Sequence, residues 1–171
     1  IGGAMANTFM LSQGINTGKS LVEEELITDA KNILNKSKNF NTKIILPVDV
    51  VCAQGLEDTT NIKNVGIKNI LAHQMILDIG DNTIQLIKSA ILQSKLILWN
   101  GPLGAFEHVP FNYGTNKIAE VVKTDVQKLN IITFAVGSDT IAAIKKTKAE
   151  KYFSYLSTAG GACLGWLEGK E

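Results

Sequence analysis

The sequence has few cysteines, almost no net charge and no long apolar run, and each shortage excludes a class of protein. Cys52 and Cys163 belong to no CxxC or Cys/His spacing, so we expect two reduced packing residues rather than zinc or redox chemistry. With 17 basic and 16 acidic side chains the formal charge is +1, which gives no general attraction to nucleic acid or anionic membranes. No apolar run reaches the length of a membrane span. Any bound anion must therefore be held by a local site.

What is present is the composition of a folded domain. The 171 residues are 45% hydrophobic and 19% charged, which is typical of a globular protein, and this length favours one domain. Short apolar runs alternate with segments of helical periodicity, a pattern that predicts βα units and a mostly parallel sheet. We therefore expect an α/β fold in three layers, a Rossmann-like parallel sheet flanked by helices.

The expected elements can be placed along the chain. Helices are predicted at 4–13, 20–38, 81–93, 115–129, 141–146 and 162–167. The second of these helices should begin with a capping box from Ser20 to Glu23. Strands are predicted within 43–53, interrupted near Pro47, and at 96–99 (a buried strand), 131–136 and 152–156. Residues 54–74, rich in Asn and Gly, are expected to form an irregular excursion.

Four glycine-containing turns are expected at one edge of this sheet. In open parallel sheets ligands bind beyond the carboxyl ends of the strands, where helix N-termini present unpaired N–H groups to anions. Glycine lets the backbone approach such a ligand closely. The turns are Gly2-Gly3, Asn100-Gly101-Pro102-Leu103-Gly104, Gly137-Ser138-Asp139-Thr140 and Ala159-Gly160-Gly161. Together they favour a site for a phosphate-bearing ligand such as a nucleotide.

Three polar side chains at or near these turns have candidate roles. Asp139 lies at a strand end beside a hydroxyl, which suits a magnesium ion that also takes phosphate oxygens and water. A helix-capping role fits the same position equally well. Glu107 is either an acceptor for ribose hydroxyls or an exposed loop residue, and Asn100 either offers an amide donor or forms its turn.

Other motifs do not support competing chemistry. Residues 14–20 (GINTGKS) resemble a P-loop, but the segment is one residue short between its glycines and follows a predicted helix. His73 and His108 have no partner at metal-ligand or triad spacing, and no GxSxG, HExxH or GxGxxG occurs. Phosphoryl chemistry is the favoured interpretation, with a non-catalytic nucleotide-binding module or a plain structural α/β fragment as alternatives.

Several strings, taken together, resemble the phosphoglycerate kinase family in order and spacing. They are IGGAMANTF, GKSLVEEE, LPVDVV, LDIG, WNGPLGAFE, VGSDT and STAGGACLGWLEGK, of which WNGPLGAFE and the last are the most specific. The resemblance runs almost end to end along the C-terminal, nucleotide-binding domain of that family. It implies that residues 1–171 are a partial copy of this domain, truncated at its N-terminus, with the N-terminal substrate domain absent from the chain.

The resemblance also implies an activity. Members of the family reversibly transfer the acyl phosphate of 1,3-bisphosphoglycerate to ADP, giving 3-phosphoglycerate and ATP in glycolysis. The expected ligands are therefore ADP or ATP and Mg²⁺, with 3-phosphoglycerate bound through the missing domain. We expect a cytoplasmic protein that is a monomer at full length and has no nucleic-acid or membrane partner.

Residue roles follow from the resemblance by position. Contacts to the base and ribose are expected from Gly2, Gly3, Ile76, Leu77, Pro102 and Glu107. Contacts to the phosphates are expected from Asn100, Gly137, Ser138 and Thr140. Backbone N–H groups facing the transferring phosphoryl group are expected from Gly137, Gly160 and Gly161. Asp139 is expected to hold magnesium.

Two departures from the family pattern bear on this site. The three glycines that usually precede the aspartate are Val136-Gly137-Ser138 here. The added side chains are expected to be tolerated, with a narrower approach for the phosphates or tilted amides as the alternatives. Asp81-Asn82 replaces the family's common Pro-Lys, which places a carboxylate near the expected nucleotide side and should weaken binding.

The parts of the family's enzyme outside this chain generate a prediction. The resemblance implies that the basic patch for phosphoglycerate and the lysines for the nucleotide phosphates come from outside residues 1–171. The isolated chain should therefore fold imperfectly, catalyse nothing alone and bind MgADP weakly or not at all. Isothermal titration calorimetry of the 171-residue chain tests this, and binding as tight as that of an intact kinase would contradict it.

Overall fold

In the computed structural model, which describes residues 1–170, the strands form two separate three-stranded sheets. The described chain divides into two compact units, each with one of these sheets. The first unit comprises residues 1–86 and 103–114, and the second comprises residues 87–102 and the chain from Thr115 onward.

The helices and strands are short. The α-helices among residues 1–170 are α1 Gly3–Ser12, α2 Ile27–Asn39, α3 Asp81–Leu92, α4 Tyr113–Val121, α5 Ser138–Lys146 and α6 Gly160–Leu167. The strands in the same residues are β1 Asp49–Ala53, β2 Lys63–Gly66, β3 Met75–Ile79, β4 Leu96–Asn100, β5 Ile132–Val136 and β6 Tyr155–Ser157. None of these described helices has the length and apolar character needed to cross a lipid bilayer.

The sheet of the second unit is the parallel one. Its order is β4-β5-β6, and the register places Asn100, Val136 and Ser157 side by side. Helix α5 packs against both β5 and β6. The predicted α/β fold with a parallel sheet flanked by helices is confirmed, and its strand ends are level where the predicted turns begin.

One face of this parallel sheet is more exposed than the sequence pattern predicts. Strand β4 was expected to be buried, but the side chains of Leu96 and Leu98 are 55% and 37% exposed, and only Trp99 is buried. Ile132 pairs with Leu96 and is also exposed. Parallel sheets are normally covered on both faces, whereas Leu96, Leu98 and Ile132 remain exposed on this one.

The sheet of the first unit is antiparallel and was not predicted. Its order is β2-β1-β3, with β1 in the centre. One cluster of buried residues contains Val50, Cys52 and Ile70, and another contains Ala53 and Leu77 together with a loop phenylalanine. Cys52 and Cys163 are both free thiols, as predicted.

The sequence pattern missed two strands of this antiparallel sheet because neither has a clear period-two pattern. Strand β2 lies inside the predicted irregular segment 54–74 and is exposed along most of its length. Strand β3 contains a buried aspartate in an apolar run. The expected strand at 43–53 begins only at Asp49, two residues after Pro47.

The predicted helix at 20–38 begins later than expected. Helix α2 starts at Ile27, after a 3₁₀ turn at Glu24–Leu26. The capping box does not form, because Ser20 Oγ donates to the Thr17 carbonyl and accepts the Ile76 N–H at 2.8 Å. Ser20, the predicted first residue of this helix, therefore links the loop at Thr17 to β3 by hydrogen bonds.

Other boundaries differ by a few residues. The predicted helix at 115–129 is helical throughout, but it is α4 followed by a π-helical turn, Val122–Val126, and a 3₁₀ turn, Gln127–Leu129. Helices α5 and α6 begin at Ser138 and Gly160, earlier than predicted, so the polar and glycine residues of the turns form their first turns. The last strand begins at Tyr155, since 150–152 form a 3₁₀ turn.

A buried carboxylate joins β1 to the start of α3. Asp49 Oδ1 accepts the Thr83 N–H at 2.8 Å and the Thr83 hydroxyl at 2.7 Å, while Oδ2 accepts the Asn82 N–H at 3.0 Å. Burial raises the pKa of Asp49, but these hydrogen bonds outweigh it and hold the pKa below its usual range. The neighbouring Asp81 carboxylate is exposed and accepts a hydrogen bond from the Asn64 amide at 3.4 Å.

This difference predicts unequal stability effects for the two aspartates. Asp49→Ala should lower the free energy of unfolding by at least about 2 kcal/mol, since it leaves buried donors unpaired. Asp81→Ala, the matched control in the same turn, should cause a much smaller change. Urea denaturation of both variants measures the difference, and equal losses would contradict the assigned role of Asp49.

Candidate phosphate-binding site

The carboxyl ends of β4, β5 and β6 open onto one cavity of about 300 Å³. Predicted site residues that line it are Asn100, Pro102, Gly137, Ser138, Asp139, Thr140, Gly160 and Gly161. Thr158 and Leu164 also line it and had no predicted role. The structure therefore brings together three of the predicted turns within the second unit.

Two helix N-termini border this cavity. The first backbone bond of α5 runs from the Ile141 N–H to the Gly137 carbonyl at 3.0 Å, and that of α6 from the Cys163 N–H to the Ala159 carbonyl at 3.1 Å. The N–H groups between these residues have no partner within their helix. The Gly160 N–H, however, donates to the Thr158 carbonyl at 3.0 Å, and the Gly137 N–H donates to the Ser157 carbonyl at 2.9 Å. The expected contacts of these two N–H groups with the phosphoryl group are therefore not available. Both helix dipoles also favour negative charge at this end. The cavity is therefore suited to an anion such as phosphate.

Glycine is required where the two turns approach each other. Gly137 has φ +97°, and a Cβ there would lie 3.2 Å from Asn100 Oδ1. A Cβ at Gly160 would lie 2.9 Å from Gly137 Cα, closer than real Cβ contacts. By contrast, a Cβ at Gly161 would meet nothing within 4 Å. Only the first two positions need the absence of a side chain.

The turn after β4 is fixed by side chains from its neighbours. Thr140 is buried, and its Oγ1 accepts the Gly101 N–H at 2.7 Å. Trp99 donates its indole N–H to the Gly101 carbonyl at 2.7 Å. Thr140 thus connects the start of α5 to the turn that follows Asn100, in addition to lining the cavity.

Asp139 does not cap α5. The N-cap is Gly137, and no side chain makes a capping hydrogen bond there. The Asp139 carboxylate is exposed in the first helical turn and lines the cavity. One free carboxylate beside a phosphate site suits Mg²⁺, which takes few protein ligands and fills its shell with phosphate oxygens and water. The capping alternative is therefore wrong.

The departures at Val136 and Ser138 differ in their effect. Val136 is 1% exposed and does not line the cavity. Ser138 is exposed and does line it. Of these two side chains, only the Ser138 hydroxymethyl group can narrow the space through which a phosphate enters the cavity.

In the first unit, three predicted nucleotide residues contact one segment of chain, 103–105. The Gly3 N–H donates to the Leu103 carbonyl at 3.1 Å, and a Cβ at Gly2 would lie 2.8 Å from Leu103 Cδ2. The Ala105 N–H donates to the Leu77 carbonyl at 2.8 Å. Gly2, Gly3 and Leu77 are thus gathered at this segment.

The other two predicted residues of the first unit are placed differently. Ile76 is partly buried and packs against the cluster of Val50, Cys52 and Ile70. Glu107 is exposed shortly after Ala105. The side chain of Ile76 therefore contributes to the core of this unit, and its predicted contact with the base stays a prediction.

The P-loop-like segment at 14–20 forms no anion site. It follows α1, and the Lys19 N–H donates to the Gln74 carbonyl at 2.7 Å. Gly18 has φ +58° and lies so close to the Gln74 carbonyl that a Cβ would clash with it. The segment packs against neighbouring backbone, and its exclusion from the sequence-based site is supported.

One buried carboxylate was missed by the sequence reasoning. Asp78, in β3, is 2% exposed, and its oxygens accept the Gly114 N–H at 2.7 Å and the Ile79 N–H at 2.8 Å. Burial raises its pKa to about 7, although the backbone hydrogen bonds act in the opposite direction. The available signal was an acidic residue inside the apolar strand MILDI, since such residues are almost never buried without partners.

These features define a class, an α/β protein in which two helix N-termini and a free carboxylate meet at a phosphate-sized cavity. The phosphoglycerate kinase family model matches residues 1–170. Phosphoglycerate kinase of Methylorubrum extorquens strain PA1 is 44% identical over 171 residues, 100% of this chain and 43% of that protein. The enzyme of Cereibacter sphaeroides gives the same identity and the same shares.

Solved structures agree with these relatives. The structure of phosphoglycerate kinase from Coxiella burnetii matches 99% of this chain and 43% of its own, with a TM-score of 0.91 and 38% identity. That from Pyrococcus horikoshii matches 99% and 42%, with a TM-score of 0.77 and 25% identity. The chain belongs to the phosphoglycerate kinase family, and it spans 43% of the length of the curated relatives named above.

The close approach of the two glycine turns predicts a position-specific effect. Gly160→Ala should lower the free energy of unfolding by about 1–3 kcal/mol, because overpacking forces one turn to move. Gly161→Ala, one residue further along α6, should be nearly neutral, since a methyl group there enters open space. Urea denaturation midpoints of the two variants provide the comparison. A neutral Gly160→Ala would show that the turns can separate freely.

Proposed function

We propose that this chain is the nucleotide-binding part of a phosphoglycerate kinase, which reversibly transfers the acyl phosphate of 1,3-bisphosphoglycerate to ADP. The observation that carries the proposal is the convergence of the α5 and α6 N-termini on one cavity that also holds Asn100 and Asp139. Family membership supplies the reaction class, a phosphotransferase with a carboxyl acceptor.

The second unit is proposed to bind the phosphates. Phosphoryl transfer needs little covalent participation by the protein, so catalysis rests on positioning and charge stabilisation. The Gly161 N–H and the N–H groups of the first turn of α5 would bind the transferring group, whose negative charge spreads over its oxygens. The Gly137 and Gly160 N–H groups, which were expected to do so, donate instead to the Ser157 and Thr158 carbonyls at 2.9 and 3.0 Å. Asn100 and Thr140 would add neutral hydrogen bonds that orient the phosphates without increasing the positive charge of the site.

Asp139 is the residue proposed to hold magnesium. Its carboxylate is exposed and lines the cavity, and residues 1–170 contain no group of three or more His, Cys, Asp or Glu side chains suited to a metal. A single carboxylate fits a Mg²⁺ ion that is carried largely by nucleotide phosphates. When bound, the ion neutralises phosphate charge during transfer. Ser138, beside Asp139, would contact the same phosphates.

Residues of the first unit are proposed to bind the base and ribose, and the contact expected of Pro102 with the base stays a prediction. Gly2 and Gly3 open α1 with backbone that bears no side chain, which suits the flat face of an adenine. Leu77 and Ile76 would add apolar contact, and Glu107 would accept hydrogen bonds from ribose hydroxyls. The support within this unit is the gathering of Gly2, Gly3 and Leu77 at residues 103–105.

The remaining partners follow from the same proposal. The chain spans 43% of the length of its relatives, so 3-phosphoglycerate is proposed to bind to a part of the protein outside these residues. The protein would act in glycolysis in the cytoplasm, as a monomer, without nucleic-acid or membrane partners. The near-zero formal charge of +1 is consistent with the last point.

The product of the complete gene tests the proposal. It should transfer phosphate from 1,3-bisphosphoglycerate to ADP in a magnesium-dependent coupled assay, whereas a non-catalytic nucleotide-binding module would bind ADP without turnover. Asp139→Ala should reduce kcat by about 100-fold or more, since it removes a group that stabilises transition-state charge.

A matched control separates this effect from a loss of helix stability. Asp29 is an exposed acidic residue in the first turn of α2, as Asp139 is in α5. Asp29→Ala should leave kcat and KM unchanged. Unchanged magnesium-dependent turnover in Asp139→Ala would remove the metal assignment, and absence of transfer by the wild-type product would remove the proposed function.

A further inference from the structure

The buried carboxylate of Asp78 contacts both ends of the segment that carries Glu107. We call residues 103–114 the Glu107 loop. Near its start, a Cβ at Gly104 would clash with Asp78 Oδ1, and at its end a Cβ at Gly114 would lie 2.5 Å from the same oxygen. Two glycines of one loop are therefore packed directly against a single carboxylate.

Hydrogen bonds reinforce this contact. Asp78 Oδ2 accepts the Gly114 N–H at 2.7 Å, and Oδ1 accepts the Ile79 N–H at 2.8 Å. Helix α4 begins at Tyr113, so a negative charge here complements the helix dipole. The carboxylate thus fixes where the Glu107 loop ends and where α4 starts.

Two further contacts of the Glu107 loop involve Leu77, the residue before Asp78. The Ala105 N–H donates to the Leu77 carbonyl at 2.8 Å, and the fully buried Phe111 packs against Leu77 and Ala53. Glu107 lies between these two anchors and is itself exposed. The position of its carboxylate therefore depends on where β3 holds the two sides of the loop.

We propose that Asp78 is a positioning residue that sets the place of the Glu107 loop and thereby the affinity for the nucleotide. This inference rests on the proposed function, in which Glu107 binds the ribose. Asp78 touches neither the nucleotide nor the reacting atoms in this account. It acts only through the loop, whose two glycines leave room for a carboxylate and for no larger or differently shaped group.

Steady-state kinetics of the complete gene product tests the proposal. Asp78→Asn keeps the size of the side chain but replaces one acceptor oxygen with a donor, which opposes the N–H groups it faces. KM for ADP should rise about tenfold, as misplacement of a supporting group does elsewhere, with kcat changed less than twofold. KM for 1,3-bisphosphoglycerate should not change.

A double-mutant cycle distinguishes positioning from general destabilisation. If Asp78 acts through Glu107, then Asp78→Asn combined with Glu107→Ala should have the KM for ADP of Glu107→Ala alone. Effects that multiply would overturn the proposal, because they would show that Asp78 affects affinity independently of the loop residue. A rise in KM for both substrates would overturn it as well.

A second variant keeps the test decisive where Asp78→Asn folds poorly. Gly104→Ala pushes the loop away from the same carboxylate from the other side, and it should reproduce the increase in KM for ADP. Gly55→Ala is its control, since a Cβ at Gly55 meets nothing within 4 Å and the position lies in the same unit. Equal kinetics in both glycine variants would count against the proposal.

Hydrogen exchange gives a readout that does not need turnover. In Asp78→Asn, amides of peptides covering 103–114 should exchange about tenfold faster, while peptides covering β5 should be unchanged. Unchanged exchange overturns the positioning role of Asp78. The wild-type product can also show no phosphoryl transfer while hydrogen exchange responds as expected. The proposed function has then failed, and the positioning role of Asp78 is judged by the affinity for MgADP, measured by calorimetry.

Discussion

The backbone contact between Gly137 and Gly160 is the constraint on which the phosphate-binding cavity depends. Strands β4, β5 and β6 are parallel and in register, so they end at one level and the turns that follow must share a small space. A side chain at Gly160 would reach 2.9 Å from Gly137 Cα, and one at Gly137 would reach 3.2 Å from Asn100 Oδ1. Glycine at both positions lets two helix N-termini present N–H groups to the same cavity. Each helix then strengthens the attraction of the other for an anion.

The second unit was predictable from sequence because its geometry follows from local rules. Parallel strands joined by helices end at one edge, so a strand followed by a glycine turn already indicates where a ligand binds. The first unit does not follow such rules. Strand β2 is an exposed edge strand that acquires its conformation by pairing with β1, where Lys63 opposes Cys52. That pairing is set by tertiary packing, so the local sequence of residues 54–74 does not predict a strand there.

Asp139 and Asp78 show that local sequence also predicts the roles of some side chains and not of others. Asp139 follows a strand in a glycine turn, and this local context predicts either a magnesium ligand or a helix cap. Asp78 acquires its partners from Gly104 and Gly114, and the hydrogen bond to Gly114 spans 36 residues. Its surroundings exclude water and satisfy its oxygens within the protein, whereas the Asp139 carboxylate is exposed at the cavity. One aspartate is therefore available to a cation, and the other is committed to holding the chain.

The glycine triplet of the family reduces, in physical terms, to one required position. Only Gly137 has positive φ in Val136-Gly137-Ser138, and this conformation turns the chain from β5 into α5. Val136 directs its side chain into the core, and Ser138 directs its own into solvent at the cavity. Neither side chain lies where the N–H groups of α5 are set, because the first bond of that helix runs to the Gly137 carbonyl. In this chain the first hydrogen bond of α5 therefore forms with a valine and a serine on either side of Gly137.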